Sequence, residues 1–191
     1  MNGLQFRITV KDIKPPIWRR IIVPADYTFW DLHEAIQDAM GWSDSHLHDF
    51  NNGTYDSFHI GIPVPGGDDL FEVQPGWMIR LRDHFDCVGK TMTYLYDFGD
   101  GWQHTVKLEK IIEEETSAPR CVGGKRACPP EDCGGLGGYE NFCAIMKMKQ
   151  GEEYKELKAW FGRDYDPEAF DAGTVEFDDP RVRFKEMQAF Q

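Results

Sequence analysis

The sequence predicts an α+β fold on a mostly antiparallel sheet, with a strand–strand–helix beginning and two helices late in the chain. Three observations carry this prediction. Period-two alternation recurs in short runs, most of them closed by Gly or Pro turn chemistry rather than by a helical crossover. Helical spacing is confined to a stretch near residue 30 and to the region beyond residue 139. Finally, 191 residues with a 41% hydrophobic and 14% aromatic share suffice to fill one sizeable core. The chain is therefore read as a single domain, 1–191, with its core over about 4–162 and an acidic tail over 163–191.

Leu4 to Val10 alternates apolar and polar residues and reads as a strand with one buried face. Lys14-Pro15-Pro16 ends it, and Ile17–Val23 supplies an antiparallel partner. Thr28 is placed to cap a following helix, with Asp31 three residues on completing a capping-box-like pair. Phe29, Leu32, Ile36, Ala39 and Met40 form the apolar face of that helix, and Gly41 suits its C′ position. This order is β-grasp-like by analogy of fold alone.

Short strands follow over Leu47–Phe50 and Ser57–Ile62, then a turn-rich loop from Pro63 to Leu70 and a further strand at Trp77–Leu81. In Thr91–Phe98, residues Met92, Tyr94, Tyr96 and Phe98 share one face; Gly99-Asp100-Gly101 reverses the chain into the strand Trp102–Ile112. The Gly- and Pro-rich stretch from Cys121 to Gly138 reads as a long loop. Beyond it, Tyr139, Phe142, Cys143 and Met146 have helical spacing. A second helix, Glu152–Phe161, is expected to bury Tyr154, Leu157, Trp160 and Phe161 and to stop at Gly162. The tail, with Asp-Pro at 166–167 and 179–180, is expected to wrap the surface in short turns.

The formal charge of −12 and a pI near 4.9 argue against a large phosphate-binding footprint, so nucleic acid is not the expected partner. A protein or peptide partner suits the acidic surface better. No N-terminal apolar h-region and no bilayer-length apolar run occur, which predicts a cytoplasmic protein without a membrane span. Five cysteines in such a setting favour reduced thiols over a disulfide framework.

Chemistry-bearing residues fall into three groups. Cys121, Cys128 and Cys133 have gaps of six and four residues. Three thiolates need a fourth ligand for a zinc site, and His104 is the best candidate. Zinc is the one cofactor the sequence points to; the competing reading is a loop held by Pro-Pro rigidity and packed thiols. In Asp97-Phe-Gly-Asp100-Gly-Trp102-Gln-His104, two carboxylates and an imidazole could hold a divalent cation or act as base and orienter, although Asp and Gly are also what a reversal demands. His46 and His48 alternate along a strand and so point to one face, where both could approach one metal or anion. Arg19-Arg20 beside Trp18 reads as the solvent face of its strand.

Several of these stretches resemble the plasmid pRiA ORF-three-like family of prokaryotic proteins. They are Pro16-Ile-Trp-Arg-Arg20, Leu32 to Trp42, His46-Leu-His-Asp-Phe50, Tyr96 to His104, and Arg126-Ala-Cys-Pro-Pro-Glu-Asp-Cys-Gly-Gly135 with Gly138-Tyr139. The resemblance implies an α+β domain and carries no catalytic assignment. Some relatives bear a transposon-passenger, resolvase-like label. A serine recombinase needs a nucleophilic Ser amid several Arg and a basic surface, and this chain offers neither. The resemblance marks His46, Asp97, Asp100, Trp102, His104, Cys121, Cys128, Glu131, Asp132 and Cys133 as lying in the family's characteristic segments, which raises the expectation of one shared site.

Two readings from different classes follow. In the first the chain is a binding or interaction module, stabilised by metal at Cys121, Cys128, Cys133 and His104, with His46, His48, Trp102 and Asp132 contributing to binding. In the second it is a metal-dependent hydrolase or nuclease in which Asp97, Asp100 or Glu131 acts as base. An enzyme requires an open coordination position with a carboxylate in reach; a module requires a closed site, or none, and an exposed apolar patch.

Overall fold

The computed structural model describes residues 2–54, 58–64 and 72–189. Ser57, and residues 65–70 of the expected turn-rich loop, lie outside the described residues. Strands β1 (Gly3–Val10) and β2 (Trp18–Pro24) pair antiparallel, as their alternation predicts. Helix α1 spans Phe29–Met40 and is punctuated as expected. The Thr28 hydroxyl accepts the Asp31 N–H, the Asp31 carboxylate accepts the Thr28 N–H at 2.7 Å, and Gly41 closes the helix in the left-handed region. Thr28→Ala is expected to lose about 1 kcal/mol of stability, read as a lower urea midpoint at unchanged slope.

The remaining strands are β3 (His48–Asn51), β4 (His59–Gly61), β5 (Val73–Pro75), β6 (Thr91–Tyr96), β7 (Trp102–Ile112) and β8 (Arg120–Lys125). With β1 and β2 they form an eight-stranded sheet in the order β5-β4-β3-β6-β7-β1-β2-β8, antiparallel except between β4 and β5. The inward residues of the central strands, among them Phe6, Ile8, Ile21, Phe50, Tyr94, Tyr96, Val106 and Leu108, are fully buried beneath α1.

Three expectations for the sheet and its connections are corrected. Trp77–Leu81 is no strand: Gly76–Met78 forms a 3-10 turn, and a one-turn helix α2 (Leu81–His84) follows it. Phe98 leaves the sheet in the β6–β7 turn and is exposed, so the buried face ends at Tyr96. The Cys121–Gly138 stretch is not wholly a loop. Its first residues form β8, a sheet-edge strand where glycine is tolerated because the Trp18 and Phe170 rings close over Gly123 and Gly124. Its last glycines open helix α3 (Gly135–Met148). A side chain at Gly138 would collide with the Cys133 carbonyl, so this glycine lets the loop fold back onto the helix start.

Helix α4 (Glu152–Phe161) ends at Gly162 as predicted, but its apolar residues are not fully buried: Tyr154, Leu157 and Phe161 are half-buried and Trp160 is half exposed. The tail is more than turns: α5 (Pro180–Ala189) lies against α1. There the Trp30 indole donates to the Pro180 carbonyl at 3.1 Å, and Arg183 pairs with Glu34 and Asp38 at 2.8 and 2.7 Å. Helix α1 is thus covered on both sides, which is why Trp30 and Glu34 are buried as well as its apolar stripe. Among the described residues, no helix is long and apolar enough to cross a membrane.

Candidate functional site

The Cys-rich loop docks on one end of the sheet through polar bonds from three segments. The Trp42 indole, just past α1, donates to the Pro129 carbonyl at 2.9 Å. The Ser43 N–H and hydroxyl donate to Glu131 Oε2 at 2.9 and 2.5 Å, and the Tyr96 hydroxyl donates to Oε1 at 2.6 Å. Asp100 accepts the Gly134 N–H at 3.1 Å. Gly135 adopts φ +66°, and a Cβ there would sit 2.5 Å from the Asp100 carbonyl oxygen, so the loop approaches the β6–β7 turn as closely as glycine allows. Burial and the adjoining Glu131 carboxylate raise the Tyr96 phenol above its ordinary value, so it remains a donor.

At this junction His46, Asp97 and Asp132 converge. His46 Nε2 lies 3.1 Å from Asp132 Oδ1 and 3.7 Å from Asp97 Oδ2, yet it makes a well-formed hydrogen bond with neither. The Asp97 carboxylate is divided. Oδ1 accepts the Gly99 and Asp100 N–H groups, which is ordinary turn chemistry, while Oδ2 faces His46. The side chain of Asp132 is 67% exposed, so the cluster opens to solvent on that side.

A second group lies deeper. His33 from α1, Asp44 from the α1–β3 connection and His48 from β3 again bring one ligand atom each within 4.8 Å of one another. Among the described residues these two groups are the ones that could gather three metal ligands. His46 and His48 therefore do not approach a common point: His46 precedes β3 at the rim, whereas His48 enters the sheet beneath α1.

The proposed set of Cys121, Cys128, Cys133 and His104 does not assemble in this structure. His104 is on β7 and Cys121 on β8, with β1 and β2 between them, about 14 Å at the usual strand spacing. His104 is fully buried with Nδ1 on the Tyr94 carbonyl at 3.2 Å, and burial lowers its pKa to about 4. Burial pushes the Cys128 and Cys133 thiols up to about 12, where they behave as packed, protonated groups. Trp102 is a core residue packed edge-on against Tyr139.

The candidate bases are also placed by these contacts. Glu131 is held by three donors and Asp100 by one backbone N–H, while Asp97 has one oxygen turned to His46. Arg19 is not solvent-facing: it is 2% exposed, caps the Ala39 carbonyl at the end of α1 at 2.8 Å, and lies under the Phe170 ring. Its alternation with Ile17, Ile21 and Val23 was the signal for that burial. His33 had one too, four residues after Phe29 on the helix's apolar face.

A mixed α+β protein with a mostly antiparallel sheet and a docked Cys-Pro-Pro-Glu-Asp-Cys loop is thus defined. The model of the family described as "Plasmid pRiA4b ORF-3-like protein" matches residues 2–174, and the chain belongs to that family. The uncharacterized protein y4hQ of Sinorhizobium fredii is 33% identical over 171 residues, covering 87% of this chain and 84% of that protein. The crystal structure of MM3350 from Methanosarcina mazei Go1, a protein of unknown function, superposes with a TM-score of 0.78 at 41% identity, covering 92% of this chain and 98% of that one.

Proposed function

We propose that the chain is a cytoplasmic binding domain for a protein or peptide partner, in which a divalent cation held by His46, Asp97 and Asp132 fastens the Cys-rich loop to the sheet. The observation that carries this reading is the convergence of two carboxylate oxygens, from two other segments, on a His46 nitrogen that lacks a hydrogen bond. One imidazole and two carboxylates suit zinc or manganese. Two cavities touch the loop. One, of about 550 Å³, is lined by Trp42, Pro129, Pro130, Trp160, Phe161 and Tyr165; the other, of about 320 Å³, includes Asp132 and again Trp160. The shared Trp160, half exposed, is an aromatic anchor of the kind binding surfaces use.

A metal-dependent hydrolase is the second reading, favoured by the exposure of Asp132, which would leave coordination positions to water. It ranks below the first because Glu131 and Asp100, the nearby carboxylates, are already engaged in holding the loop. Calorimetric titration with Mn²⁺ and Zn²⁺ tests the site. Asp132→Asn and His46→Ala are each expected to weaken one binding event by about tenfold or more. Binding unchanged in both variants removes the cation from this reading. Phosphodiester or peptide hydrolysis by the loaded wild type, absent in Asp132→Asn, would reverse the ranking.

A further inference from the structure

The buried polar cluster beneath α1 is larger than packing requires. His33 is fully buried, with Nδ1 2.8 Å from the Tyr94 hydroxyl and Nε2 2.7 Å from Asp44 Oδ1. The His48 ring stacks on it, centroids 3.5 Å apart and planes 14° apart. His48 is 2% exposed, and neither of its ring nitrogens has a hydrogen-bond partner in the protein. Trp30, Phe50 and Tyr94 surround it. A buried polar atom without a partner carries its full desolvation cost, and both nitrogens of a core imidazole in that state call for an ion or a water. If packing alone were at stake, phenylalanine would fill the position at lower cost.

We propose that His33, Asp44 and His48 form a buried site for one divalent first-row transition-metal ion. One nitrogen from each ring and one Asp44 oxygen lie within 4.8 Å of one another; the stacked rings hold their lone pairs in near-parallel planes, so the His48 ring turns out of the stack to join His33 on one ion. Two neutral imidazoles and a carboxylate are a donor set of iron(II), manganese or zinc rather than of calcium or magnesium.

The surroundings supply the outer support such ligands use. The Tyr94 hydroxyl holds the far nitrogen of His33. The Gln37 amide donates to that hydroxyl at 2.9 Å, and its carbonyl accepts the Asp44 N–H at 3.1 Å. Gln37 and Tyr94 thus fix the orientation of the ring and the position of the acid, the role that outer partners have at metal centres. The site is separate from the His46 cluster in residues and in depth, and it stands whether or not that cluster binds a cation.

Co²⁺ is the probe, because its visible absorption reports nitrogen and oxygen ligation directly. The full chain, stripped with chelator, is titrated with Co²⁺ and followed by absorption and by elemental analysis after gel filtration. The comparison set is wild type, His48→Phe, Asp44→Asn and Asp132→Asn. Phenylalanine keeps the ring stack and removes the two unpartnered nitrogens, so His48→Phe is expected to melt no lower than metal-free wild type and to retain about one equivalent of Co²⁺ less. Asp44→Asn should show the same loss, and Asp132→Asn should keep this equivalent. Equal uptake by wild type, His48→Phe and Asp44→Asn overturns the proposal and leaves the nitrogens to water, as does wild-type protein that takes up no Co²⁺. Should His48→Phe fail to fold, Asp44→Asn and the wild-type spectrum decide alone.

Discussion

Phe29→Ala is expected to lower the unfolding free energy by about 3–5 kcal/mol, the range for deleting a buried aromatic ring. Phe29 is the first residue of α1 and is fully buried. Its ring meets Phe50 edge-on at 5.1 Å, His84 at 5.4 Å and stacks on Phe85 at 6.0 Å; Phe85 in turn meets Phe6 at 4.8 Å. One side chain therefore joins α1 to β3, to the α2 turn and, through Phe85, to β1. Rings packed on several sides leave little that can collapse into the cavity, which puts the cost toward the upper end. Urea denaturation should show the midpoint falling with an unchanged slope, and Phe29→Leu should recover more than half of the loss. A loss below about 1 kcal/mol would mean that this aromatic cluster is not the fastening of α1.

The parts of this fold that were legible in the sequence are those written in local chemistry. Thr28, Asp31 and Gly41 delimit α1 because caps are set by residues within one turn of the helix end. Gly162 does the same for α4. The β1–β2 pair and β6–β7 followed from alternation, since a period of two has one reading when one face is buried. Where a local signal competed with a longer-range one, the reading failed. Arg19 was placed outward for its charge, yet its position in the alternation and the carbonyls of Ala39, Trp18 and Lys125 put it inside. Trp77–Leu81 has the apolar content of a strand, but its residues turn under α1 instead, where the Phe29 N–H donates to the Ile79 carbonyl.

The candidate site was legible as residues and not as groups. His46, Asp97, Asp132 and His48 could each be singled out, but which belong together depends on how β3 lies against β6 and how the loop folds back over the turn between β6 and β7. Cysteine spacing drew attention to the loop that docks on the sheet end, for a reason the fold does not share. Its thiols pack inward, while the groups that reach the sheet end are Glu131 and Asp132 between them. Asp44, a residue of the connection, lay outside every motif, and His33, although inside the Leu32 to Trp42 stretch, read there as an ordinary helix residue.

Arg183→Ala is expected to be the other large loss, about 3 kcal/mol near pH 8. One guanidinium serves three carboxylates: Glu34 at 2.8 Å, Asp38 at 2.7 Å and Asp178 at 2.8 Å. Glu34 is 1% exposed. Burial first, and the neighbouring Asp44 charge next, raise its pKa to about 8, with Arg183 opposing. Asp38 is raised too, mainly by burial. Because the folded pKa of Glu34 lies above the unfolded one, the native state binds the extra proton between about pH 4.5 and 8. Stability in chelator should therefore fall as pH rises through that window, and Glu34→Gln should flatten the slope and stabilise the protein at pH 8. Without Arg183 both acids lose their counter-charge, so the fall should steepen and α5 should come away from α1, read as faster amide exchange over 180–189. A variant whose loss is the same at pH 5 and pH 8 would show that Arg183 acts by packing on α1 and not by holding its buried carboxylates charged.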